Sequence, residues 1–272
     1  MRNFFEVFNV VENIYHIKDR LNVFVTLIVG KDEAILLDTS YGMGNLRRFI
    51  DEFIDLPYKV INSHGHVDHA SGNYQFDEVF IHKEDIELCL DHTSEEKRMQ
   101  RLTLAKEEGI SIEQDENEYL KGGPGNLKEI DEGTVFNLGG ITVEVIGMPG
   151  HTRGSIGLFI KERKLLLTGD AANPFLWLFD KYAANLSAYI NTLRKIKELD
   201  FNYFLTSHNL DLLPKRRIDD FLECALNIDI NKSKPFDHPF FKEYNAYVYN
   251  HGNLDFNHPN FASIVFSPEK LK

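Results

Sequence analysis

Four side chains of the kind that bind transition metals fall within six positions of the chain, in the segment HGHVDH that begins at His64. Imidazole and carboxylate groups bind zinc, manganese and iron near neutral pH. An apolar run at 58–62 predicts a buried strand that leads into this segment. Because side chains at positions i and i+2 of an extended chain point the same way, His64 and His66 are placed to reach one metal. Asp68 and His69 follow the turn and are placed to reach a second.

A solvated loop could hold this cluster at little cost, and one histidine at a strand end is more often structural than a ligand. Three remote residues favour a metal site instead. Each lies at the end of an apolar run that predicts a strand, and they are His151, Asp170 and His208. Strands that converge on one rim are how open sheets build functional sites.

The full series resembles the metallo-β-lactamase-fold hydrolase superfamily. The matching features are the H-x-H-x-D-H motif, a histidine in a Gly/Pro-rich loop, the aspartate of a Thr-Gly-Asp sequence and a final histidine, in the family's order over residues 64–208. The resemblance implies two metal sites joined by a bridging aspartate and a hydroxide, which offset the repulsion between two cations about 3.5–4 Å apart. The implied ligands are His64, His66 and His151 for one metal, Asp68, His69 and His208 for the second, and Asp170 as the bridge.

Three features narrow the resemblance to one branch. A cysteine ligand has no candidate, since Cys89 and Cys224 lie outside every motif. Asp170 is present, whereas the true lactam-cleaving branches lack this aspartate. His66 is not replaced by glutamate, as it is in the diiron oxygen-reducing branch. The pattern is closest to the branch that holds thioesterases of the glyoxalase II type, lactonases and phosphodiesterases, and not to a true β-lactamase.

This resemblance implies metal-assisted hydrolysis, in which a metal-bridging hydroxide attacks an ester, thioester, lactone or related small substrate. Asp68 is predicted to be catalytic as well as a ligand, because it could also orient the hydroxide. The predicted cofactors are two divalent metal ions, with zinc favoured and iron or manganese as alternatives. Other functions stay open: a mononuclear iron sulfur dioxygenase, a phosphodiesterase, or a non-catalytic metal-binding module.

The composition is that expected of a soluble enzyme. The chain has 272 residues, of which 43% are hydrophobic, and a formal net charge of −12. Because phosphate backbones require a basic surface, this charge argues against a nucleic-acid partner. No apolar stretch approaches the roughly 20 residues that span a bilayer, and the N-terminus lacks a signal-peptide core. We therefore expect a cytoplasmic protein with no membrane partner, and a homodimer is one option for its assembly.

Apolar periodicity together with the resemblance predicts an α+β fold, a four-layer αββα sandwich of two mixed β-sheets flanked by helices. The prediction is a single domain over residues 1–272, with the site at one open edge of the sandwich. A helical insertion at about 83–125 is interpreted either as a lid or as a solvated excursion. An aromatic-rich segment at about 234–272 is predicted to form a C-terminal hairpin.

Further predictions concern the surroundings of the metals. Asp38 ends a strand ahead of the HGHVDH segment, which we call the metal loop. Asp38 is predicted to accept a hydrogen bond from a ligand histidine. Residues 173–179 include the only tryptophan, Trp177, and are predicted to line an apolar wall beside the metals, with core packing or a dimer contact as alternatives. His251 and His258 are predicted not to bind metal.

Overall fold

The computed structural model describes residues 3–237, 244–252, 255 and 258–272 of the chain. The strands are β1 Glu6–Val11, β2 Ile14–Lys18, β3 Phe24–Val29, β4 Ala34–Leu37, β5 Tyr58–Ile61, β6 Val79–Ile81, β7 Leu127–Glu129, β8 Val135–Asn137, β9 Thr142–Gly147, β10 Ile156–Ile160, β11 Leu165–Leu167, β12 Phe175–Leu178, β13 Tyr203–Leu205, β14 Leu213–Pro214, β15 Lys234–Pro235, β16 Tyr247–His251 and β17 Ala262–Phe266. The α-helices are α1 Leu46–Phe53, α2 Val67–Ala70, α3 Ile86–His92, α4 Glu95–Glu107, α5 Glu116–Lys121, α6 Leu186–Lys197 and α7 Arg217–Leu226. Short 3-10 helices occur at Asn73–Gln75, Lys83–Asp85, Lys161–Arg163, Ile230–Lys232 and Pro268–Leu271.

The described strands form three sheets. Strands β1 to β7 lie side by side in chain order, antiparallel from β1 to β4 and parallel from β4 to β7. A second sheet has the order β14-β13-β11-β10-β9-β8, in which β11 and β13 are parallel. A third has the order β12-β17-β16-β15. The two larger sheets are both mixed, as predicted.

The two larger sheets pack face to face, with helices on their outer faces. In β4, Ile35 and Leu37 belong to the core between the sheets, whereas Leu36 faces the core beneath α1, α4 and α5. This alternation follows from the period of two in a strand, so a strand buried on both faces is apolar throughout. Helices α6 and α7 cover the outer face of the second sheet. The predicted four-layer αββα sandwich is therefore confirmed.

The third sheet was not predicted. Its strand β12 lies within the apolar run at 173–179 and pairs in parallel with β17, from Phe175 opposite Ser263 to Leu178 opposite Phe266. Parallel partners so distant in sequence leave no local signal, because no tight turn joins them.

The chain ends in an antiparallel pair of β16 and β17, with Tyr247 opposite Phe266. These strands lie within the predicted C-terminal hairpin. His238, Phe240 and Phe241 of the same aromatic segment lie outside the described residues. Within the described part of the chain, every helix is too short or too polar to cross a membrane.

A buried arginine attaches the helical insertion to the rest of the fold. Arg98 of α4 donates hydrogen bonds to the carbonyls of Thr93 at 2.9 Å, Ser71 at 2.8 Å and Gly123 at 2.7 Å. Its guanidinium lies 5.2 Å from the ring centre of Tyr119. Because Ser71 is the C-cap of α2, which carries Asp68 and His69, these contacts connect the insertion to the metal loop.

Candidate metal centre

The ends of four strands position all seven predicted ligands at one edge of the sandwich. Strand β5 leads to the metal loop and to α2, and each of β9, β11 and β13 is followed by one more ligand. The ligand atoms fall into three overlapping groups whose members lie within 4.8 Å of one another: His64, His66 and His151; His64, His69 and Asp170; and Asp68, His69 and His208. The structure therefore brings together every residue that the sequence predicts for the two sites.

Close contacts within the cluster place potential ligand atoms against each other. Nδ1 of His66 lies 2.9 Å from Nε2 of His151, and Nε2 of His208 lies 3.0 Å from Oδ2 of Asp170. Asp68 is shared between neighbours, since its Oδ2 lies 3.5 Å from Nε2 of both His69 and His208.

In four of the five histidines, the ring nitrogen that faces away from the cluster donates a hydrogen bond. Nδ1 of His64 donates to Ser63 Oγ at 3.0 Å, and Nε2 of His66 donates to Asp180 Oδ2 at 3.0 Å. Nδ1 of His69 donates to Asp38 Oδ2 at 2.9 Å, and Nδ1 of His151 donates to the Trp177 carbonyl at 2.9 Å. A donating outer nitrogen leaves the lone pair of the inner nitrogen for a metal. The predicted bond from a ligand histidine to Asp38 is confirmed.

Unpartnered polar atoms show that the cluster fits metal ions. In the part of the chain that the structure describes, Nε2 of His64, Nε2 of His69 and Oδ1 of Asp170 are buried without a hydrogen-bond partner. Each such atom costs about 1–3 kcal/mol when it is desolvated and unpaired. Divalent cations would satisfy all of these atoms, and nitrogen and oxygen donors suit zinc, iron and manganese alike.

Burial and neighbouring charges leave His64, His151 and Asp170 in protonation states that can bind metal. Burial lowers the pKa of His64 well below its usual value and that of His151 to about 4, so both imidazoles are neutral. For Asp170, burial opposes ionisation, but the neighbouring His208 and His69 hold its pKa well below the usual range. For His69, burial alone would lower the pKa, but Asp68 and the other nearby carboxylates outweigh this effect and raise the pKa above its usual value.

Asp38 connects two strand ends beneath the centre. Besides His69, its carboxylate accepts hydrogen bonds from the backbone N–H of Ser63 at 2.7 Å and from the Ser63 hydroxyl at 2.8 Å. Since the Ser63 hydroxyl in turn accepts from His64, one buried carboxylate orients ligands of both predicted sites. Asp38 has a φ of 68°, a conformation that Asp tolerates better than most residues.

Asp85 joins the two loops that carry the histidines, and it is not among the predicted site residues. It is fully buried and accepts hydrogen bonds from Gly65 N at 3.0 Å, Gly154 N at 2.7 Å and Thr152 Oγ1 at 2.7 Å. A Cβ on Gly154 would lie 2.6 Å from the carboxylate, so this close approach requires glycine. Its position within a helical insertion gave no signal of this role.

Asp180 is the other contributor that is not among the predicted residues. It lies two residues after β12 and accepts hydrogen bonds from His66 and from the backbone N–H groups of Tyr182 and Ala183. The signal that indicates Asp170, an acid after an apolar strand, also applies to Asp180 once β12 is recognised as a strand.

Comparison with known proteins identifies the family. The model of the metallo-beta-lactamase superfamily matches residues 19–208. The chain belongs to the metallo-beta-lactamase superfamily. Acyl-coenzyme A thioesterase MBLAC2 of Bos taurus is 26% identical over 71% of this chain and 73% of the relative, and that of Homo sapiens is 25% identical over the same shares.

Solved structures show the same fold. The sec-alkylsulfatase Pisa1 from Pseudomonas sp. superposes with a TM-score of 0.61 at 17% identity, over 81% of this chain and 41% of that one. A metallo-beta-lactamase from Pontibacter korlensis gives 0.53 at 18% identity, over 82% and 100%. Together with the thioesterase relatives, family membership makes the chain a metal-dependent hydrolase outside the true β-lactamases.

In this metallo-beta-lactamase superfamily member, a cavity of about 380 Å³ is lined by five of the seven clustered residues: His66, Asp68, His151, Asp170 and His208. Phe175, Trp177 and Phe179 line its wall, whereas the intervening Leu176 and Leu178 are fully buried in the core. The period of two in β12 thus gives the segment 173–179 both predicted roles, pocket wall and core packing.

Arg153, which follows the candidate ligand His151 by two positions, and the two C-terminal histidines lie outside the cluster. Arg153 donates to the Lys181 carbonyl at 2.7 Å and is not among the residues that line the cavity. Nε2 of His251 lies 3.2 Å from Glu223 of α7, and His258 accepts from the backbone of Asn260 at 3.1 Å. Neither histidine belongs to the groups of potential ligands among the described residues.

Proposed function

We propose that the chain is a dinuclear metal-dependent thioester hydrolase with zinc as its metal. The observation that carries this proposal is the convergence of five imidazoles and two carboxylates in overlapping groups, five members of which line a cavity with an aromatic wall. The resemblance to thioesterases named for acyl-coenzyme A supports a thioester as the substrate.

The proposed ligand assignment follows the overlapping groups. The first ion would be held by His64, His66 and His151, the second by Asp68, His69 and His208, and Asp170 would be shared, since it groups with His64 and His69. When bound, such ions supply Lewis acidity toward a carbonyl and lower the pKa of water to near neutrality.

The chain's own residues supply orientation and an environment for the substrate. Asp38 and Asp180 fix which nitrogen of His69 and His66 faces the cavity. Asp68, half-buried beside two imidazoles, is placed to accept a hydrogen bond from a hydroxyl group as well as to bind metal, which supports the predicted catalytic role. Phe175 and Trp177 offer an apolar surface for an acyl chain and exclude water from it.

Metal content and substrate preference test the proposal together. We expect about two ions per chain in the wild type, and loss of metal and of thioester hydrolysis together in His66→Ala. His251→Ala is the matched control, because His251 lies on β16 beside α7. The substrates are thioesters, oxyesters, lactones and phosphodiesters, each assayed with zinc, manganese and iron.

The same measurements separate the alternatives. One iron per chain with oxygen consumption would indicate a sulfur dioxygenase. Turnover confined to phosphodiesters would indicate a phosphodiesterase, and metal binding without any turnover would indicate a binding module. Full metal content and turnover in His66→Ala would contradict the ligand assignment itself.

Cellular location and assembly are further parts of the proposal. We propose a cytoplasmic enzyme without a nucleic-acid partner, supported by the net charge of −12. Cell fractionation and a nucleic-acid binding assay test these two statements. Light scattering on the purified protein distinguishes a monomer from a homodimer.

A further inference from the structure

A second cavity adjoins the cavity that is lined by the clustered histidines and aspartates, which we call the inner cavity. Its volume is about 560 Å³, and it shares Val67, His92, Arg101 and Asp180 with the first. A small ester would fill only the inner cavity, so the additional groove has room for a part of the substrate beyond the reacting bond. We call this second cavity the outer groove.

One side of helix α4 forms a wall of the outer groove. Lys97, Arg101 and Leu104 line it at spacings of four and three residues, which places them on one helix face. The adjacent face of α4, with Arg98, Leu102 and Ala105, is buried. Because Arg98 is anchored to the carbonyls of Ser71 and Gly123, the cationic face has a defined position relative to the metal loop.

The acids of the outer groove are already paired. Asp180 accepts from His66 at 3.0 Å, and Asp91 contacts Lys181 at 3.1 Å and the Tyr182 hydroxyl at 2.8 Å. Within the described residues Lys97 forms no ion pair. Lys97 therefore gives the groove a positive charge that is not paired with an acid of the described residues, in a protein whose net charge is −12.

Arg101 lies where the two cavities meet. Its guanidinium is 5.3 Å from the ring centre of Tyr41, and Tyr41 lines the inner cavity together with Asp68. A guanidinium binds carboxylate and phosphate oxygens in a bidentate manner, and a lysine one helical turn away adds a second charge. Local positive potential also concentrates anionic ligands near the site.

We infer that the outer groove binds an anionic group on the leaving thiol of the substrate, through Lys97 and Arg101. This inference rests on the proposed thioester hydrolysis. The aromatic wall of the inner cavity takes the acyl chain, so the thiol portion extends toward α4. Phosphate and carboxylate oxygens can both accept hydrogen bonds from Lys97 and Arg101. Coenzyme A carries phosphates and glutathione carries carboxylates, so these two thiols represent the two kinds of anion.

The experiment compares thioesters that share one acyl group but differ in the thiol: coenzyme A, glutathione and the neutral N-acetylcysteamine. The measured quantity is the ratio of kcat/KM for an anionic thioester to that for the neutral one. We expect Lys97→Gln and Arg101→Gln to lower this ratio about tenfold, mainly through KM, because each removes a charge-assisted contact. Lys106→Gln is the matched control, since Lys106 lies on the same helix and pairs with Glu116 at 2.7 Å.

The pattern across the thiols assigns the anion. A reduced ratio for coenzyme A alone indicates phosphate, and for glutathione alone carboxylate; either result supports the inference. Unchanged ratios in both variants overturn it, as does a decrease of the same size in Lys106→Gln.

A binding measurement keeps this inference separate from the proposed function. Desulfo-coenzyme A and S-methylglutathione lack a free thiol, and their affinity for the metal-loaded protein is measured by calorimetry. Binding that weakens about tenfold in Arg101→Gln supports the groove assignment even if no thioester is hydrolysed, which would refute only the proposed function. Binding of neither probe, or binding that is independent of Lys97 and Arg101, overturns the groove assignment.

Discussion

Nε2 of His66 lies 3.0 Å from Oδ2 of Asp180, and the other oxygen of that carboxylate accepts hydrogen bonds from the backbone N–H groups of Tyr182 and Ala183 at 2.8 and 2.6 Å. The two backbone donors fix the carboxylate, and the carboxylate fixes the imidazole. A residue just after β12 thereby sets the orientation of a side chain at the end of β5.

Asp180→Asn should weaken metal binding. The two backbone donors will retain the amide oxygen, so the amide NH₂ will face the N–H of His66 and the bond will be lost. We expect metal affinity to fall about 10–100-fold, measured as metal retained per chain against a series of chelator concentrations. Asp200→Asn, at an exposed ion pair with Lys164, is the control, and equal retention by both variants would contradict the role of Asp180.

Asp85→Asn should loosen the two histidine loops. An amide cannot accept all three of the bonds from Gly65, Gly154 and Thr152 without turning its own donors toward one of these groups. We expect a loss of about 1–3 kcal/mol in the free energy of unfolding, together with reduced metal occupancy. Denaturant unfolding and elemental analysis measure the two effects.

The control for Asp85 is Thr152→Val, which removes a single hydroxyl and should have the smaller effect on both quantities. If Asp85→Asn unfolds more easily but retains all its metal, Asp85 stabilises the fold without positioning the ligands.

Arg98→Met should detach the insertion from the metal loop. The substitution leaves the carbonyls of Ser71, Thr93 and Gly123 without their donor, although removing a buried charge offsets part of the cost. We expect a loss of about 2–4 kcal/mol in the free energy of unfolding, and faster limited proteolysis within 93–125. Lys106→Met is the exposed control on α4. Wild-type stability and cleavage rate would show that other contacts hold the insertion in place.

Trp177→Ala should change the preference for acyl length. Its side chain lines the metal cavity and lies 5.4 Å, ring centre to ring centre, from Phe179, whereas its backbone carbonyl, which accepts from His151, is retained. Loss of this apolar surface should cost about 1–2 kcal/mol for a long acyl chain, or roughly 5–30-fold in kcat/KM. An acetyl thioester is the internal control, and equal losses for acetyl and dodecanoyl thioesters would argue against an acyl-binding wall.

His16 should contribute a pH dependence to stability. Burial lowers its pKa from 6.5 to about 4, so between these values the unfolded chain binds more protons than the folded one. Its contribution is therefore fully present above pH 6.5 and is lost as the pH falls toward 4, by about 3 kcal/mol. His16→Gln should show a shallower decline in the free energy of unfolding over this range, and parallel pH profiles for the two proteins would contradict the assignment.

The ligands and most strands could be predicted because their signals are local. A run such as Tyr58–Ile61 shows its burial through composition, and the histidines after it show their chemistry through type and spacing. The role of Asp85 has no such local signal. In the sequence, a carboxylate in a charged helical insertion cannot be distinguished from a solvent-exposed one, and only the fold brings Gly65 and Gly154 against it.

By itself the sequence determined which segments are apolar strands and which seven residues have the type and spacing of metal ligands, because side-chain type and period are properties of short segments. Its resemblance to a known superfamily implied the αββα architecture. Only the tertiary structure decided how these residues are held and what lies beside them: the bonds from Asp180 and Asp85, the pairing of β12 with β17, and the face of α4 that carries Lys97 and Arg101. These contacts join segments far apart in the chain, and their energies depend on distances and burial that arise only when the chain is packed.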